Sequence, residues 1–167
     1  NYSKATSLPF FLMHAAVLAV FFFPFHWSLL AWLAGSYFLR MFFVTAGYHR
    51  YFSHRSYRLN RFWQFVIAFM SQTSAQKGVL WWASCHRHHH RYADTERDPH
   101  SPQRGFWWAH IGWVLSGEFG ATDYTVIEDF ARYPELRWLD DHDWVPPWIL
   151  GVFCWLVAPI LIVRYLS

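Results

Sequence analysis

Acidic side chains are missing from most of this 167-residue chain. All eleven Asp and Glu lie between Asp94 and Asp143, so the first 93 residues and the last 24 carry none. Because no Glu precedes Glu96, the carboxylate-rich di-iron sites of soluble helix bundles, built from Glu and Glu-x-x-His motifs, are excluded. Cysteine is nearly absent as well. Cys85 and Cys154 are the only two, which excludes a secreted disulfide scaffold. Charge of either sign is scarce at 15% of residues, against 54% hydrophobic; that excess rules out disorder. Long uncharged stretches would need a larger core than this chain can wrap, so an ordinary soluble enzyme is excluded too. The chain has no internal repeat, low-complexity tract or linker.

Aromatic residues fill the space the charges leave, with twelve Trp, nine Tyr and seventeen Phe. Such a load suits a membrane protein. Residues 8–26 hold no charge, and 27–46 hold only Arg40. Each stretch is long enough to cross the hydrocarbon layer as a helix, and Pro24 breaks them into a transmembrane hairpin. Residues 144–166, interrupted by Pro159, make a third transmembrane helix. The polar region between, about 48–143, carries eleven of the fourteen Lys and Arg, and the positive-inside rule places it in the cytoplasm. Within it, Arg61–Met70 is apolar but too short to span and reads as an interfacial helix. The Trp81-Trp82 and Phe106-Trp107-Trp108 groups read as headgroup-level aromatics. The expected fold is therefore an all-α membrane protein with a cytoplasmic helical region. Acids and bases share that region, so no nucleic acid is expected as a partner.

Histidine is the unusual residue, with eleven copies. His49-Arg-Tyr-Phe-Ser-His54 adjoins the second span, and His86-Arg-His-His-His90 follows later. At about 100° per residue, His86, His89 and His90 share one helix face and His88 points away. On the same assumption His49 and His54 diverge by about 140°, which suits contacts to two different metal ions. Neutral imidazole binds Fe, Zn, Cu or Ni. Five such donors from two segments favour a large His-rich site with room for two ions. Asp94 and Asp98, just after the second box, are candidates to hold a ligand's other ring nitrogen. His100, His110 and His142 are either such supports or structural. His14 and His26 are expected to bond backbone or headgroups, and Cys85 to pack.

The run Thr45-Ala-Gly-Tyr-His49 through His54-Arg-Ser-Tyr, then Trp82-Ala-Ser-Cys-His86-Arg-His-His89-His90, Asp98-Pro-His-Ser-Pro and Arg104-Gly-Phe-Trp-Trp-Ala-His-Ile-Gly-Trp113 resembles the membrane fatty acyl-CoA desaturases of the stearoyl-CoA (delta-9) type, particularly their bacterial branch. The resemblance implies two non-haem iron ions, with His49, His54, His86, His89 and His90 among their ligands. It also implies O2 as oxidant and a small electron-donor redox protein of the cytochrome b5, ferredoxin or rubredoxin type. The substrate would be an acyl chain in a bilayer-facing tunnel, with Gln76 and Trp82 at positions that shape its bend. Animal acyl-CoA members carry an Arg-Asp pair before the second box; here Ser84 and Cys85 stand there, leaving CoA, acyl carrier protein or a phospholipid open as carrier. The chain begins with Asn1 and stops at Ser167, before the family's fourth span, Asn region and third His box, and so reads as a fragment. Other readings are a His-box hydroxylase of alkanes or sterols, and a non-catalytic metal-binding membrane protein.

Overall fold

The computed structural model describes residues 4–22 and 24–163. These fold as helices joined by turns, without a β-sheet. Helix α1 spans Lys4–Val17 and tightens into a 3₁₀ segment, Leu18–Phe22. Residues 24–26 leave the helix at Pro24, and α2 starts afresh at Trp27, running to Phe43. It continues without a break as a π-helix, Val44–Ser53. Together Trp27–Ser53 form one helix long and apolar enough to cross a membrane, while Ser7–Phe22 and Val145–Val157 are shorter apolar helices. Phe23 and residues 164–166, parts of the first and third expected spans, lie outside the described residues, as do both chain ends. Phe22, Trp27 and Trp155 are 87%, 77% and 74% exposed. Apolar surface this extensive is what a bilayer or partner normally covers.

Helix α3, Arg61–Gln72, begins where the Asn60 side chain accepts the N–H of Trp63, a standard N-cap satisfying one orphan donor. Its Gln64, Ile67, Ala68, Ser71 and Gln72 are buried while Phe62 and Trp63 face outward, giving the two-faced character expected of it. Helix α4, Val79–Tyr92, carries the second box. Its first-turn N–H groups at Leu80 and Trp81 donate to the Asp140 carboxylate, a negative charge at the positive end of the helix. Gly78 makes this approach possible, since a Cβ there would meet the Asp140 Cα at 2.8 Å. The short α5 (Trp113–Leu115) and α6 (Glu128–Ala131) precede α7 (Pro134–Asp141), and α8 follows as Val145–Val163.

The buried core holds Tyr48, Tyr51 and Phe52 of the π segment, Ile67 and Ala68 of α3, Val79, Leu80 and Ala83 of α4, and Phe130, Leu136 and Leu139 beyond them. Both boxes therefore lie on elements whose opposite faces are fixed in one core. Trp81 belongs to this interior rather than to a headgroup layer: it is 5% exposed, its indole N–H donates to the Phe119 carbonyl, and its ring stacks on Trp113. Phe106 and Trp107 do face outward, at 69% and 71%.

Candidate metal centre

The π-helix changes the geometry of the first box. A π turn closes i→i+5 hydrogen bonds instead of i→i+4, and the His54 N–H does bond the His49 carbonyl, at 3.1 Å. Residues five apart then stack on one face. The two imidazoles expected to diverge accordingly meet, with Nε2 of His54 2.9 Å from Nε2 of His49. Widening the helix disturbs its carbonyls, and three hydroxyls meet them. Ser71 Oγ donates to Phe43 O, Tyr57 to Ala46 O, and Ser53 Oγ to Tyr48 O. Gly47 lets α3 come this close, because a Cβ would lie 2.0 Å from Ser71 Oγ.

The second box behaves as helical periodicity requires. Nε2 of His86 and His90 are 3.1 Å apart, and their rings face those of His49 and His54, with His49–His86 centroids at 4.8 Å and His54–His90 at 4.7 Å. The donor atoms of His49, His54, His86 and His90 all lie within 4.8 Å of one another. Two nitrogens each about 2.1 Å from one ion and at right angles sit roughly 3.0 Å apart, close to the two spacings found. Burial and the neighbouring imidazoles push His86 down to about 3, and burial lowers His54 as well. Both are thus neutral near pH 7, the form that binds a metal. The donor set fits a metal ion of imidazole preference, iron included.

His89 faces a second group. Its Nδ1 is 2.9 Å from Asp98 Oδ2, and its ring stacks on His100 at 4.2 Å. His89, Asp98 and His100 could themselves hold an ion. Asp98 is fully buried. Burial pushes its carboxyl up, but the Asp94 N–H, the His89 ring and the His100 N–H together bring it below the usual value. Asp94 thus contributes its main chain, not its carboxylate: its N–H bonds Asp98 and its carbonyl accepts from Gln103. Rings of His89 and His90 lie 5.5 Å apart, so the two groups adjoin. His88 points the other way, onto Asp123 at 3.0 Å. His14, His110 and His142 each bond the carbonyl four residues back along the chain. Burial pushes the Cys85 thiol up to about 12, which keeps it in the protonated form rather than as the nucleophilic thiolate.

Trp82 sits against the centre, its ring stacked between Tyr48 at 5.2 Å and His86 at 4.8 Å. Its indole N–H donates to Gln76 Oε1 at 3.2 Å, so the two residues are joined beside a box histidine.

Arg87 is the residue sequence reasoning missed. Its guanidinium donates to the carbonyls of Phe52, Ser53 and Val126 and forms two bonds to Asp129. Those first two carbonyls close the π segment, so one side chain of the second box fixes the end of the first. Nothing local in the sequence marks it, since Asp129 lies 42 residues away.

No family model matches the chain. Among curated proteins it is 36% identical over 145 residues to an sn-2 palmitoyl-lipid 9-desaturase of Nostoc sp. (strain 36), covering 80% of this chain and 48% of that protein. It is 35% identical over 113 residues to an acyl-CoA 5-desaturase of Anemone leveillei, covering 66% and 33%. It is 46% identical over 72 residues to an acyl-CoA desaturase of Saccharomyces cerevisiae, covering 43% and 14%. The chain spans less than half the length of each of these relatives.

Proposed function

Since the chain belongs to the acyl desaturase family, we propose that the protein containing it is an integral-membrane oxidoreductase that inserts a cis double bond, at the delta-9 position, into a fatty acyl chain carried by CoA. The observation that carries this reading is the convergence of His49, His54, His86 and His90 from two separate segments. These four, with His89, are the residues that would hold two iron ions. Iron supplies the O2 activation and electron transfer that removing hydrogens from an unactivated chain requires. The two electrons come from a redox protein of the cytochrome b5, ferredoxin or rubredoxin type.

The chain's own residues have positioning tasks. Asp98 holds Nδ1 of His89 and thereby turns Nε2 outward as a donor. His100, stacked on His89, keeps that ring in place. Trp82 and Gln76 border the acyl path, where a rigid apolar wall selects the methylene presented to the metal and keeps water away. In the proposed topology residues 8–26, 27–46 and 144–166 cross the bilayer, and 48–143 form the cytoplasmic part of the desaturase domain. The apolar exposure of α1, α2 and α8 supports it.

Gas chromatography of acyl chains tests the reaction. A host lacking its own desaturase, given the full protein, should gain monounsaturated chains. New hydroxyl groups instead would move the protein to the hydroxylases, and no new product would leave a metal-binding role. Separately, Asp98→Asn should lower metal affinity on the order of 10–100-fold, as loss of a partner to a ligand's second nitrogen does. Equilibrium dialysis with cobalt(II) measures this, and unchanged affinity would remove Asp98 from the centre.

A further inference from the structure

A groove of about 500 Å³ opens between the end of α2 and the outer face of α3. That is within the roughly 300–1,000 Å³ of small-molecule sites. Phe42, Phe43, Leu59, Val66 and Ile67 give it an apolar wall, and Arg50 stands at its edge. None of these side chains belongs to either imidazole group. The charge around it is unbalanced. Arg55 and Arg87 share Asp129, and Arg61 takes Glu135. Arg50, and Arg58 between the lining residues Tyr57 and Leu59, are exposed and have no acidic or hydrogen-bonding partner for their side chains among the described residues.

We infer that this groove holds one anionic phospholipid of the surrounding bilayer, an acyl chain along the apolar wall and the phosphate at Arg50. The inference rests on the bilayer reading of α2. Basic side chains beside an apolar wall at the membrane surface are the recognition chemistry such a lipid needs. The outward Phe62 and Trp63 of α3, 65% and 54% exposed, place the same helix at the interface.

Native mass spectrometry of the detergent-purified chain, titrated with dioleoyl phosphatidylglycerol or dioleoyl phosphatidylcholine, reads the site. One phosphatidylglycerol per chain should be retained, preferred at least about fivefold, the factor one arginine at a membrane surface contributes. Arg50→Gln should abolish the preference and Arg50→Lys keep it. Arg58→Gln, which removes an equally exposed arginine outside the groove lining, should keep the preference, and cobalt binding at the imidazoles reports that each variant is folded. Equal retention of the two lipids, a preference surviving Arg50→Gln or lost in Arg58→Gln, or displacement by equimolar palmitate would overturn the site. Release of the chain from membranes by alkaline carbonate would instead overturn the bilayer reading; a chain that stays embedded and binds both lipids equally overturns only the lipid.

Discussion

Arg87→Ala is expected to cost about 3 kcal/mol of stability, the low end of the range for removing one partner of a buried ion pair, because Asp129 is partly exposed and keeps Arg55. Arg87 has only 11% of its side chain exposed. Its loss leaves Asp129 with Arg55 alone and strands the part-buried carbonyls of Phe52, Ser53 and Val126, each deprived of its donor. Arg87→Lys keeps the charge but not the planar fork that reaches four acceptors at once, so it should fall between alanine and the native chain. Denaturant midpoints in detergent measure the order. A second readout separates stability from site geometry: under conditions where the variants remain folded, cobalt affinity should still fall, because the ends of the two boxes lose their common clamp. An alanine variant that unfolds at the native midpoint would refute the role.

His86→Ala is expected to reduce metal affinity by more than about 100-fold, the upper end of what losing a supporting partner alone costs. His88→Ala, two residues away, should leave affinity unchanged. His86 lies at the centre of the group, 4.8 Å from the His49 ring, 5.3 Å from His54 and 4.6 Å from His90. His88 contacts Asp123 on the opposite face of α4. Both variants remove an imidazole from the same helix, so a loss of helix stability would move them together and a loss of a ligand moves only one. Cobalt(II) absorption titrations distinguish these outcomes, and equal affinities for the two variants would dismiss His86 as a ligand.

The helical face of the second box was legible because α4 is a regular α-helix, in which angle follows from spacing. The break at Pro24 and the amphipathic Arg61 helix followed from local chemistry in the same way. His49 and His54 were misread because spacing fixes angle only once the helix type is known. The π segment is set in part by Ser71 of α3, which lies outside any local window around residue 50, together with the nearer Tyr57 and Ser53 hydroxyls. Trp81 was assigned to the interface by residue type, whereas its neighbours Phe119 and Trp113 draw it inward. The sequence points to the carboxylate of Asp94, whereas it is the Asp94 N–H that bonds Asp98. Each miss traces to a contact distant in sequence or to a main-chain group, neither of which leaves a periodic trace.

The carboxylates that tie down the boxes, Asp98 on His89, Asp129 on Arg87 and Asp140 on the start of α4, all come from the later part of the chain. A ribosome making this protein at about 5–20 residues per second releases both boxes before any acid that orients them. The histidines of these two boxes therefore emerge ahead of the three carboxylates, which reach them in the order Asp98, Asp129 and Asp140. Metal captured during synthesis meets an unclamped site, while metal captured afterwards meets one already shaped.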